Sequence, residues 1–393
     1  MNLSKKFINY KQEFDNFSNS NFFKNKNILI LKKKSKSFYY DNLLAGIVEY
    51  GKPKKTFYIK YDSKSSFLNI SNEIEKVSKF ENIDIFICAS YYFILPEVLK
   101  KLQDNIYRIR IDGDDVFHFN SYSKWYAQFF DLNITNCIFS KNKFIEFKYN
   151  SITYVSPFKK LDVSKNHLSK IYDISFVGLI KNKLARSEYI EHIRQNDYNI
   201  NIFGSDSPSG YLDQNEVFKI YQNTKINLNF TGITQSNKSI NNPLNSNTMT
   251  GRIFEIIGSG GFLITEYNVS IEYFFEPGKD LVIFKNKSDL IEKINYYIKN
   301  PSERNIIANN GYNKFIKYYN YPNYMPHFID QISSNSQNKN IINSYKWPKE
   351  LRIFLTRFIN KKYFFNISYL YVCFKFTTKD FILKKILNFI GIR

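Results

Sequence analysis

TGRIFEIIGSGGFLIT, residues 250–265, reads as a short helix bearing Arg252 and Glu255, a turn set by Gly258, Gly260 and Gly261, and a buried strand FLIT. Helix, glycine turn and strand in immediate succession form one unit of an alternating α/β chain. The alternation continues on both sides. Upstream, YDISFVG from Tyr172 reads as a strand ending in Gly178, followed by a helix over Leu184–Arg194 and strands at Ile200–Phe203 and Ile226–Phe230; downstream lies Leu281–Phe284. Nearer the N-terminus, apolar runs recur at Asn27–Leu31, Thr56–Ile59, Ile83–Cys88, Ile106–Ile111, Ile134–Phe139 and Ile152–Val155. Amphipathic stretches over Asn42–Tyr50, Phe67–Phe80 and Leu95–Leu102 separate them, with apolar residues three and four apart. Strand–helix alternation of this kind predicts parallel sheets covered by helices on both faces. The pattern restarts near Ile171, so the chain divides into a polar leader (1–26), a first Rossmann-like domain (27–160), a second (161–330) and a basic, aromatic C-terminal extension (331–393). Two such domains face a cleft, and ligands bind at the carboxyl ends of the strands.

Composition narrows the classes. With 393 residues, 43% of them hydrophobic, and 38 Phe and 31 Tyr, the chain has ample core material for two domains and is not disordered. The net charge of +21 is concentrated near the end, where Lys339–Arg393 holds twelve Lys or Arg against Glu350 and Asp380. Segments such as LRIFLTRFINKKYFF place basic groups among apolar ones at nearly helical intervals, a pattern suited either to an anionic membrane surface or to a helix packed on the first domain. No nucleic-acid reader motif accompanies the charge, which argues against nucleic acid. Cys88, Cys137 and Cys373 are odd in number and far apart, so neither a zinc site nor a disulfide framework is expected. No signal-peptide core and no apolar run long enough to span a bilayer is present, so the expected location is the cytoplasm, with peripheral contact at the inner face of the membrane through the extension.

The chemistry of residues 250–261 suits a nucleoside diphosphate. A carboxylate accepts both ribose hydroxyls, a guanidinium forks onto phosphate, and a helix start favours anions. The competing reading makes Arg252 and Glu255 an exposed pair three apart on a helix that the glycines merely cap. Lys181, Lys183 and Arg186 follow the strand ending at Gly178 and either approach the diphosphate or form a solvated basic helix start. Glu266 lies just past the strand FLIT, where a loop enters the cleft. In the first domain, DGDDVFH places Asp112, Asp114, Asp115 and His118 beyond the strand YRIRI. These groups are positioned to deprotonate an acceptor hydroxyl, or alternatively to cap a helix and turn.

Taken in order, YQNTKINLNF from Tyr221, GRIFEIIGSGGFLITEY and the stretch from IEYFFEPGKD to IIANNGY resemble the C-terminal domain of group 1 glycosyltransferases of the spore-protein CgeB type. YDISFVG extends the resemblance to about Ile171–Tyr321, and RIRIDGDDVFHF carries it faintly into the first half. The resemblance implies the two-domain B fold of glycosyltransferases and a nucleotide-sugar donor held without a metal or other cofactor. On that reading Glu255 holds the donor ribose and Arg252, with Gly260 and Gly261, meets the diphosphate, aided by Gly178, Lys181 and Arg186. Asn247 occupies the place where the family carries its first glutamate, eight residues before Glu255, so the sugar contact departs from the family pattern. Asp115, Asp114 and His118 serve the acceptor. The acceptor implied is a hydroxyl on a cell-envelope glycan, a lipid-linked intermediate or a protein. Two rival readings remain: a catalytically silent nucleotide- or glycan-binding module of the same fold, and a membrane-associated scaffold.

Overall fold

A computed structural model describes residues 21–340 except 36, 63–64, 66, 90–93, 95, 103, 114, 117–118, 157, 159–169, 182, 232–248 and 337–338. The first domain is built on β1 (Asn27–Lys33), α1 (Phe38–Gly51), β2 (Lys55–Tyr61), α2 (Phe67–Phe80), β3 (Ile85–Ala89), α3 (Pro96–Leu102), β4 (Tyr107–Asp112), β5 (Leu132–Thr135), α4 (Ile138–Glu146) and β6 (Ser151–Thr153). Its sheet runs in the order β2-β1-β3-β4-β5-β6 with every pair parallel. Central strands are apolar on both faces because helices cover both: Ile28 and Ile30 face one core, Leu29 and Leu31 another.

The second domain repeats the plan with β7 (Tyr172–Val177), α5 (Leu184–Gln195), β8 (Ile200–Phe203), α6 (Gln214–Gln222), β9 (Thr224–Asn229), α7 (Gly251–Gly258), β10 (Leu263–Glu266), α8 (Ile271–Phe274), β11 (Val282–Phe284), α9 (Lys287–Lys299) and α10 (Pro301–Lys314). This sheet is also parallel throughout, ordered β11-β10-β9-β7-β8. The expectation of two parallel-sheet domains is met. Both sheets have a switch point where the chain leaves adjacent strands in opposite directions, between β1 and β3 in the first and between β7 and β9 in the second.

One element departs from a simple split of the chain. After α10, the helix α11 (Tyr321–Ser334) lies against α1 of the first domain. Met325 packs so closely on Gly46 that a methyl group there would sit 2.6 Å from the Met325 sulfur. The Tyr324 hydroxyl accepts the buried backbone N–H of Val155 at 3.0 Å. Beyond α11 the chain stays on the first domain, where Asn340 gives its N–H to Asp131 and its carbonyl accepts from Arg108, each at 2.8 Å. Arg108 and Asp131 are a fully buried ion pair linking β4 to the start of β5. Breaking such a pair by removing one partner costs about 3–5 kcal/mol.

Candidate functional site

The carboxyl ends of β7 and β9 form the crevice of the second domain, and the sequence there is built for an anion. Gly178 ends β7 with φ +150°, a conformation side chains rarely adopt, and Arg252 Nη2 lies 2.6 Å from where a Cβ would be. The Arg252 guanidinium is fixed from below. Its Nη1 donates to Asn229 Oδ1 at 2.8 Å, the same oxygen accepts from Thr250 Oγ1 at 2.9 Å, and Asn229 Nδ2 donates to Thr265 Oγ1 at 2.9 Å. The Phe176 ring supports two cations, Arg252 at 5.0 Å and Arg186 at 5.7 Å from its centroid.

Arg186 is the less comfortable of the pair. It is 8% exposed, its Nη1 donates to the Leu179 carbonyl at 2.9 Å, and its buried Nε has no hydrogen-bond partner among the described residues. Burial, then repulsion from Arg252, pull it down to about 10, against the attraction of Glu266 and Asp206. Two guanidiniums held on one ring beside a glycine, at the amino end of α7, make a strongly anion-seeking corner.

Glu255 lies one turn further along α7, 5% exposed. Burial pushes its carboxyl above the usual range; the Tyr39 hydroxyl, the Arg252 charge and the Tyr221 hydroxyl counteract it. Tyr221, from α6 of the same domain, donates to Oε2 at 3.2 Å. Tyr39 comes from the first turn of α1 in the first domain, so the carboxylate is shared across the cleft. Flanking contacts close the same seam: Asn136 Nδ2 donates to the Met249 carbonyl and the Ile138 N–H to Ser270 Oγ, both at 3.2 Å.

The structure thus brings Gly178, Arg186, Arg252 and Glu255 together. Glu266 is at the same edge, where its Oε2 accepts the Thr231 N–H at 2.9 Å, which ties it to the end of β9. Lys181 is exposed, and its backbone N–H goes to Asp206. Gly260 and Gly261 are placed elsewhere. They follow the C-terminus of α7 and precede β10, so they sit at the amino edge of the sheet, a helix length of about 12 Å from the arginines. There Gly260, at φ +79°, turns the chain, and Gly261 leaves room for Asn227, whose Nδ2 would lie 2.9 Å from an added Cβ. The glycines therefore cap α7 and do not reach the anion-seeking corner. Asn247 lies outside the described residues.

In the first domain, Asp115 is fully buried and accepts from Thr135 Oγ1 at 3.1 Å. Burial, then the charge of Asp112, push it up to about 8, against Arg110 and the Thr135 and Ser140 hydroxyls. Asp112, 2% exposed, is ion-paired with Arg110. Asp114 and His118 lie outside the described residues, and no group of three potential metal ligands occurs among the described ones. Sequence reasoning missed Tyr39, Asn229 and Tyr221. Asn229 ends a strand that reads as apolar filler, and Tyr39 is one of 31 tyrosines; nothing local marks the first as holding Arg252 or the second as facing Glu255.

Comparison with known proteins supports the same class. Residues 186–330 match the family described as "Glycosyl transferase-like". No curated protein sequence matches the chain. Among solved structures, HepE from Anabaena in complex with UDP is 12% identical with a TM-score of 0.55, covering 78% of this chain and 100% of its own. Sucrose-phosphate synthase from Thermosynechococcus elongatus is 9% identical with a TM-score of 0.54, covering 79% and 98%. The lipopolysaccharide outer core galactosyltransferase WaaB in its apo form is 12% identical, also with a TM-score of 0.54, covering 78% and 99%. The fold is that of two-domain B-fold glycosyltransferases. No helix among the described residues is long and apolar enough to cross a membrane.

Proposed function

We propose that this chain is a glycosyltransferase moving a sugar from a nucleotide-sugar donor to a hydroxyl of a cell-envelope glycan, a lipid-linked intermediate or a protein. The observation that carries this reading is a buried carboxylate, Glu255, one helical turn from two guanidiniums that converge beside Gly178 at a topological switch point. A ribose needs an acceptor for its paired hydroxyls and a diphosphate needs fixed positive charge, at about this spacing. Breaking the bond between sugar and diphosphate leaves negative charge on the departing phosphate. Arg252, already oriented by Asn229, and Arg186, with an unused buried donor, stabilise that charge without reorganising. Protein groups thus supply the charge that a metal supplies elsewhere, so turnover is expected to need no metal. The order of motifs from Ile171 to Tyr321 favours the CgeB type within the class. Asp115 is fully buried against Thr135, which leaves Asp114 and His118 as the acceptor-side candidates.

The test is thermal stabilisation by UDP, ADP, GDP and CDP in turn, repeated with Glu255→Gln and with EDTA. A ligand at a hundred times its Kd stabilises by about 2.7 kcal/mol, a shift of several degrees. One nucleotide is expected to give that shift, with the effect surviving EDTA and disappearing in Glu255→Gln. A shift unaffected by the substitution would move the site away from Glu255. If the protein is stabilised yet no nucleotide is released from any sugar donor, the silent binding module is the better reading.

A further inference from the structure

Glu255 is not waiting in an open cleft. Tyr39, in the first turn of α1, reaches over the amino end of α7 with its hydroxyl in a side-chain hydrogen bond with the Glu255 carboxylate. Its ring lies so close to Gly251 that a Cβ there would fall 2.2 Å from Tyr39 Cε1 and 2.5 Å from Cζ. Glycine at 251 is therefore required by the tyrosine of the opposite domain. Tyr221 takes part of the remaining acceptor capacity at 3.2 Å, so a carboxylate with room for about four donors already serves two phenols. A ribose presenting two adjacent hydroxyls competes directly with Tyr39, the partner that comes from the other domain. The start of α1 is itself anchored across the seam, because Phe38 packs edge-on against Phe218 of the second domain, with ring centroids 6.2 Å apart. Moving Tyr39 off Glu255 therefore disturbs contacts between the domains.

We propose that Tyr39 is an interdomain latch that occupies the ribose position on Glu255, holds the nucleotide-free cleft shut, and is displaced when the donor binds. The proposal rests on Glu255 being the donor carboxylate. Its consequence is that donor binding and domain release are one event, since the nucleotide gains Glu255 only by taking it from the first domain.

The test is isothermal titration of wild type, Tyr39→Phe, Tyr39→Leu and Glu255→Gln with UDP, ADP, GDP and CDP. The Phe variant keeps the ring and removes the competing hydroxyl; the Leu variant also empties the space over Gly251, and a melting curve for each shows that it is folded. A hydrogen bond to a charged group is strong enough that its removal as a competitor is expected to tighten nucleotide binding about tenfold in Tyr39→Phe. Tyr39→Leu is expected to bind at least as tightly as Tyr39→Phe, and Glu255→Gln to lose binding. Unchanged or weaker binding in both Tyr39 variants, with Glu255→Gln still defective, would overturn the latch and leave the donor site standing. No binding of any nucleotide to wild type or variants would remove the donor site and the latch together.

Discussion

Asp115 shows how a residue type legible in sequence acquires its chemistry only from its surroundings. DGDDVFH advertises three carboxylates at a strand end, but not that one of them is enclosed. Burial and the neighbouring Asp112 push Asp115 up to about 8, so at neutral pH the folded chain keeps a proton that the unfolded chain, with an ordinary value of about 3.9, has released. The stability this group contributes is complete below about pH 4 and is lost as pH rises towards 8. Asp115→Asn preserves an acceptor for Thr135 and removes the titration. The expected outcome, read from urea midpoints between pH 5 and 8, is a flatter pH dependence and a variant more stable than wild type at pH 8. The slope removed is at most about 1.4 kcal/mol per pH unit. Identical slopes in the two proteins would mean that Asp115 ionises normally. Glu255 makes the complementary point: its place in GRIFEIIG suggested a binding carboxylate, but burial raises its affinity for protons and the hydroxyls of Tyr39 and Tyr221, which lie 216 and 34 positions away, oppose that rise.

Among the elements, the strands were the most legible, because buried parallel strands are short apolar runs bounded by turns; the exception is the run Ile134–Phe139, whose first two residues end β5 and whose last two open α4. What periodicity does not reveal is which edge of a sheet a turn occupies. The glycines of IIGSGG are equally good as a phosphate turn or a helix cap, and only the direction of β10 assigns them to the amino edge. The path of α11 was likewise invisible, since an amphipathic helix carries no label for the domain it will cover. Its packing on α1 is specified by side chains drawn from distant parts of the chain: Gly46 for Met325, and the Val155 N–H for Tyr324. Tyr324→Phe leaves the volume almost unchanged and strips the buried Val155 N–H of its acceptor. An unsatisfied buried donor costs about 1–3 kcal/mol, so a fall in Tm of several degrees is expected by calorimetry. A melting temperature equal to wild type would show that this bond does not help to hold the crossing helix.

At the scale of the whole molecule, the second crossing determines where the chain can be shortened. Every described residue of the proposed donor corner precedes Tyr267, yet the two domains are joined through α11 and through Asn340, which is bonded to both members of the buried Arg108–Asp131 pair. Truncation after Asn340 removes most of the basic extension and keeps these ties. The 1–340 chain is therefore expected to unfold in one cooperative transition and to keep the full nucleotide-dependent shift. Truncation after Asn320 instead strips Tyr324, Met325 and Phe328 from the core that also contains Leu43, Leu44 and Ile47 of α1. That chain is expected to lose cooperativity, with the first domain melting earlier, and to lose the Tyr39 contact at Glu255 as α1 loosens. Calorimetry of the three lengths, with and without the nucleotide that stabilises the full chain, separates the alternatives. If 1–340 melts normally but no longer responds to nucleotide, the basic extension belongs to the donor site, and its charge, for which the scaffold reading offers a membrane role, is directed at the diphosphate.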